Sequence, residues 1–222
     1  MAQQRRLLTT LVLAGVALVS VGLGAGSWLS SRLNATQISA AAPSDGIGGM
    51  MGMMGGGMGN RSVRYVSPAD AEVLGNALPA GATVDRTRNQ ITFTSPAASL
   101  TVLGSPDGGP DMTFRVAGLT NPTIVIPPGT SVTAQFINAD KDTSHGWLLS
   151  SSQPPFSTMV MMTAPPAFAG SFVMPLGKPN HAGMPTATIS FTAGASGQYT
   201  YLCPVMGHAR QGMHGAFVVA SS

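Results

Sequence analysis

Tyr201-Leu202-Cys203-Pro204-Val205-Met206-Gly207-His208-Ala209-Arg210-Gln211-Gly212-Met213 is the stretch on which the reading of this 222-residue chain turns. It places one thiol, one imidazole and one thioether at the spacing C-x4-H-x4-M, between two alternating apolar runs, residues 198–202 and 215–219, that read as strands. Taken singly, a cysteine is ordinarily a small buried hydrophobe and a methionine is core filler. Taken in this order, at the tip of a hairpin, the three read as a metal loop. A soft thiolate and a thioether beside a borderline imidazole select copper, and a trigonal His2Cys set with a weak axial Met is the donor set of blue-copper sites. The loop supplies three donors, so a second histidine must come from elsewhere.

The chain has four histidines. His145, in Asp142-Thr143-Ser144-His145-Gly146-Trp147, begins an apolar segment well upstream of the loop and completes the set His145, Cys203, His208 and Met213. His181, in Lys178-Pro179-Asn180-His181-Ala182-Gly183, reads as an exposed loop residue. His214 follows Met213 directly, and in extended chain its side chain points to the opposite face. Neither is taken as a ligand. Cys203 is the one cysteine, so no intramolecular disulfide can form. Metal ligation accounts for a lone thiol, because a bound thiolate is deprotonated and protected from pairing.

Three stretches, Asn121-Pro122-Thr123-Ile124-Val125-Ile126-Pro127-Pro128-Gly129, Phe136-Ile137-Asn138 and the Cys203 to Met213 loop, resemble the rusticyanin and sulfocyanin family of small blue copper proteins. The resemblance covers residues 63–222. It implies an all-β, cupredoxin-like Greek-key sandwich holding one type 1 copper ion, and a one-electron carrier rather than an enzyme. The implied partners are redox proteins such as cytochrome c or a terminal oxidase, in an extracytoplasmic respiratory chain. It also implies that the His208 ring edge reaches the surface through an apolar patch. Two positions depart from the family pattern: Asp140 stands where an Asn would buttress the ligand loop, and Gly146 stands where the family has a polar Ser.

Charged residues are only 9% of the chain and the net charge is +3, too weak and scattered for a nucleic-acid footprint. Residues 1–6 carry Arg5 and Arg6, and residues 7–29 carry no charge, long enough at about 1.5 Å per residue to cross a bilayer core. The reading is a cytoplasmic N-terminus at 1–6, a transmembrane anchor over 7–29 and an extracytoplasmic C-terminal domain. The alternative is a signal peptide cleaved near residues 39–42, giving a secreted or periplasmic protein. Residues 30–62 are rich in Ser, Ala, Gly and Met, a composition that reads as a flexible linker. Met50, Met51, Met53, Met54 and Met58 in that linker carry the alternative function, a copper-binding chaperone or buffer.

In the globular part, Ser67-Pro68-Ala69-Asp70 reads as an N-cap, a helical Pro and a first-turn acid, so a short helix is expected to residue 76. Strands are expected over 90–94, 99–103, 112–116, 123–126, 131–138, 146–150, 167–174, 186–191, 197–202 and 215–220. Residues 153–162, rich in Pro and Met, are too irregular for a strand and read as a loop over the core whose polarizable side chains suit docking. Catalytic copper enzymes need further histidine ligands, and a dinuclear copper site needs a second Cys, so no small-molecule substrate is expected. A metal-free adhesion sandwich is the remaining rival.

Overall fold

The computed structural model describes residues 63–220, so the anchor and linker read over 7–29 and 30–62 lie outside the described residues. Among those described, no helix is long and apolar enough to cross a membrane. Strand β1 (Arg64–Val66) leads into helix α1 (Pro68–Asn76). The helix starts as its cap dictates: the Ser67 hydroxyl accepts from the Asp70 amide at 3.1 Å and Pro68 occupies the first turn, where no amide is needed. Ala71 and Leu74 turn inward onto Leu103 and Ile137.

Thirteen strands among the described residues make two packed sheets, as the all-β reading requires. After β1 they are β2 (Ala82–Asp85), β3 (Gln90–Phe93), β4 (Ala97–Gly104), β5 (Phe114–Val116), β6 (Leu119–Thr120), β7 (Thr123–Ile126), β8 (Thr130–Asn138), β9 (His145–Ser150), β10 (Phe172–Leu176), β11 (Met184–Ala193), β12 (Gly197–Leu202) and β13 (His214–Val219). One sheet runs β1-β11-β8-β4-β5-β6 and the other β10-β9-β12-β13-β7-β3-β2. Their inner faces interdigitate through Phe93, Phe114, Phe136, Trp147, Tyr201 and Phe217, all fully buried. β11 illustrates the alternation, its Ile189, Phe191 and Ala193 buried between exposed Thr and Ser.

Short strands β1, β2 and β6 are not anticipated from the sequence, because β1 and β2 bury no position fully and β6 has only two residues, so none carries an apolar alternation to read. The strand expected over 167–174 begins only at Phe172. Ser171 turns back to donate its amide to the Phe168 carbonyl at 3.0 Å, and Gly170 takes φ +85°. β5 begins later than expected for a similar reason, since Met112 takes φ +53°.

β9 is buried at all six positions and so does not alternate. Trp147 and Leu149 face the main core. Leu148 faces outward into a second apolar layer with Leu202, Phe156, Val160, Ala164 and Ala209. The irregular segment 153–164 is therefore a lid over the sheet, with a 3-10 turn at Val160–Met162.

On the opposite, inner face of the sheet, Tyr201 lies across Gly215, its partner on β13, and donates its hydroxyl to the Pro122 carbonyl at 2.6 Å. A Cβ at residue 215 would fall 2.1 Å from that hydroxyl, whereas one at Gly177 would meet nothing within 4 Å. Gly215→Ala is expected to lower unfolding free energy by about 1–3 kcal/mol through overpacking, and Gly177→Ala to leave it within about 0.5 kcal/mol. Urea denaturation of the two variants checks this.

Candidate metal centre

Three elements meet at one end of the sandwich. His145 is the first residue of β9, Cys203 directly follows β12, and Met213 directly precedes β13. The loop between the last two is closed by its own backbone. The Cys203 amide donates to the Met213 carbonyl at 3.0 Å, and the Met213 amide donates to the His208 carbonyl at 3.1 Å. A 3-10 turn at Ala209–Gln211 follows His208, and Gly212 at φ +109° reverses the chain into β13. The three residues singled out in the C-x4-H-x4-M spacing are thus tied to one another before any metal is considered.

Their side chains converge with His145. The Cys203 Sγ lies 3.7 Å from His145 Nδ1 and 3.5 Å from His208 Nδ1, and the two nitrogens are 3.1 Å apart. Those edges have the size that metal–nitrogen bonds of about 2.0 Å and a metal–sulfur bond of about 2.3 Å would produce. Among the described residues, His145, Cys203 and His208 form the cluster of His, Cys and acidic groups able to hold a metal ion. Cys203, His145 and Met213 are fully buried, and Met213 packs in the apolar core that contains Cys203 and Trp147. His208 is the least enclosed of the four, at 7% exposure.

Burial sets the protonation of the metal-free cluster. It pushes the Cys203 thiol up to about 11, even though the amides of Gly146 and Val205 donate to the sulfur. It pulls His145 below the usual imidazole value against the opposing hydrogen bond and charge of Asp140. His208 is lowered by burial and then by His145. Both rings are therefore neutral, with a lone pair to give, at neutral pH.

The sequence reading gave Asp140 the place of a loop-buttressing Asn, and its Oδ1 does hold the loop, accepting the amides of Asp142 and Thr143; the structure adds a second buttress. Asn138, fully buried at the end of β8, is that buttress: its side-chain amide donates to the carbonyls of Thr143 at 3.0 Å, Leu176 at 3.2 Å and Gly177 at 2.9 Å. Asp140 also touches the ligand candidate itself, with Oδ2 2.8 Å from His145 Nε2. Asn121 is a second clamp that sequence reasoning missed. At φ +44° its Oδ1 accepts from the Phe114 amide and its Nδ2 donates to the Gly212 carbonyl at 3.0 Å, beside Met213. A buried Asn at the end of an apolar strand and an Asn before Pro were the available signals.

The remaining histidines fall outside the cluster. His181 is exposed in the turn closed by Asn180 and Gly183. His214 packs against the edge of Phe156, ring centroids 5.1 Å apart.

A two-sheet sandwich with a His, Cys, His pocket at one end defines the class: this is a cupredoxin. By sequence, the chain is 33% identical to rusticyanin of Acidithiobacillus ferrooxidans over 129 residues, 58% of this chain and 80% of that protein. It is 32% identical over the same length to rusticyanin of Acidithiobacillus ferridurans, covering 66% of that protein. No family model matches. In structure it is similar to the copper protein rusticyanin, with TM-score 0.62 and 23% identity over 72% of this chain and 98% of the other. Rusticyanin from Thiobacillus ferrooxidans gives TM-score 0.62 at 22% identity, covering 72% of this chain and 99% of the other. The chain belongs to the rusticyanin family of type 1 copper proteins, and is an electron carrier rather than an enzyme.

Because the thiol is protonated up to about pH 11 and the imidazoles are neutral, metal uptake releases one proton. The apparent affinity of the metal-free protein for Co(II) is expected to rise about tenfold per pH unit between pH 7 and 10. Cys203→Ser should flatten that slope. Titration at fixed pH values, followed by absorption, checks both.

Proposed function

We propose that His145 Nδ1, Cys203 Sγ, His208 Nδ1 and the Met213 thioether would hold one copper ion, and that the chain carries single electrons between redox proteins. The observation that carries this reading is the convergence of those three buried atoms, with edges of 3.1–3.7 Å, from two different strand ends. Bound copper supplies one-electron exchange between Cu(II) and Cu(I). The protein's contribution is to keep the donor set unchanged while that happens. The Cys203–Met213 and Met213–His208 backbone bonds, the Asn121 clamp on Gly212 and the Asn138 clamp on the approach to His145 resist rearrangement. Amide donors from Gly146 and Val205 to the sulfur, and the dry setting of Trp147, Leu202 and Pro204, tune the potential.

The lid supports a docking role at the same end. The Gly207 amide of the ligand loop donates to the Thr158 carbonyl at 2.9 Å, and the Arg210 guanidinium donates to the Thr158 hydroxyl at 2.8 Å. These bonds fasten the segment that carries exposed Met159, Met161 and Met162 to the loop that carries exposed Met206 and His208. Flexible thioethers there give a partner such as cytochrome c or a terminal oxidase an adaptable apolar contact.

For the rest of the chain the proposal is residues 1–6 in the cytoplasm, an anchor over 7–29, a spacer over 30–62 and the copper domain over 63–222 outside the membrane, in a respiratory chain. Secretion or periplasmic release after cleavage near 39–42 is the alternative. It is distinguished by whether the full-length protein stays with membranes through a carbonate wash.

Purified protein given Cu(II) is expected to turn intensely blue, and Cys203→Ser to lose the colour entirely, since the absorption needs the thiolate. Met213→Leu should raise the reduction potential and Met213→Gln lower it, because a stronger axial donor favours Cu(II). Unchanged potentials in both variants would remove Met213 from the ligand set. Copper surrendered within minutes to a soluble acceptor, without a reversible potential, would favour the chaperone built on the methionines of 50–58.

A further inference from the structure

Asp140 is held as few surface carboxylates are. Its Oδ1 accepts the amides of Asp142 at 2.7 Å and Thr143 at 3.1 Å, its own amide donates to Asn138 Oδ1 at 3.1 Å, and its side chain is 15% exposed. With one oxygen fixed by the loop backbone, the other is aimed at His145 Nε2, 2.8 Å away. The adjoining cation does not neutralise it, since Lys141 pairs with Asp107. An ionised carboxylate can only accept a hydrogen bond, so Nε2 must carry the proton of the neutral ring and Nδ1 must be bare. Nδ1 is the atom turned toward Cys203 and His208.

We propose that Asp140 is a positioning residue with an electrostatic role: it holds His145 in the one tautomer that presents a lone pair to the metal, and its charge makes the site prefer a divalent to a monovalent ion. The inference rests on the ligand reading above. With a thiolate and Asp140 as its two anions, the site is neutral around a divalent ion and carries one net negative charge around a monovalent one. Burial keeps that difference from being screened away. A neutral hydrogen-bond partner for Nε2 would orient the ring equally well and supply none of the charge. Asp140 therefore offsets part of the bias toward Cu(I) that the apolar surroundings impose.

Asp140→Asn separates the two roles, because the amide oxygen can still accept from Nε2–H while the charge is gone. Asp140→Leu removes both. In metal-free protein, imidazole nitrogen NMR shifts are expected to show His145 protonated at Nε2 in the wild type and in Asp140→Asn, and a tautomer mixture in Asp140→Leu. In copper-loaded protein, Asp140→Asn should weaken Cu(II) binding about tenfold and change Cu(I) binding less than about twofold. A tenfold change in that ratio raises the potential by about 59 mV. A merely structural role would weaken both ions alike and leave the potential where it was, and that result overturns the electrostatic role. A mixed tautomer in the wild type overturns the positioning role. Failure of the wild type to bind copper would instead overturn the ligand reading, and this inference with it.

Discussion

The pairing of β9 with β12 fixes where a metal can sit. The register sets Leu202 opposite Leu148 and Tyr201 opposite Leu149, so alternation turns Tyr201 and Cys203 to the inner face together with Trp147 and Leu149. His145, two residues before Trp147, shares that inward parity and meets the sulfur where both strands end. A slip of one residue would carry the thiol into the outer layer with Leu148 and Leu202 and away from both imidazoles. Register here is specified on both faces at once, by the stack of Trp147 on Tyr201 inside and by the Phe156 and Val160 lid outside.

Gly146 shows how tightly that end is built. A Cβ there would lie 2.8 Å from the Val173 carbonyl and 2.9 Å from Pro204 Cγ. The close approach of β10 leaves no room for a side chain, so a Ser at this position would require β10 to move. What Gly146 retains is its backbone amide, which donates to the Cys203 sulfur. A glycine here therefore removes a side chain and keeps a hydrogen bond to the sulfur.

The sandwich and the metal cluster were legible in the sequence because their signals are local: alternation marks strands, and three soft donors at fixed spacing in a hairpin loop restrict the chemistry. His145 was reachable by elimination among four histidines. What was not legible depends on contacts distant in sequence. Asn138 reaches Leu176 and Gly177, and Asn121 reaches Gly212, and neither partner can be inferred from spacing. Asp140 was suspected of lying near the site, but its partner could have been a backbone amide as easily as His145. The Phe168–Ser171 turn was read as strand because its apolar residues pack like one while its backbone reverses.

The lid completes the logic of the site. Leu148 and Leu202 alternate outward from the two ligand-bearing strands, and leaving them in water would forfeit the burial that holds those strands in place. Phe156, Val160 and Ala164 cover them, and Thr158, in the same segment, bonds the ligand loop through Gly207 and Arg210. One segment thus dries the outer face of the strands and is fastened to the loop that carries His208. That coupling keeps the lid and the loop that carries Cys203, His208 and Met213 in a fixed relation, so neither can shift without breaking the bonds at Thr158.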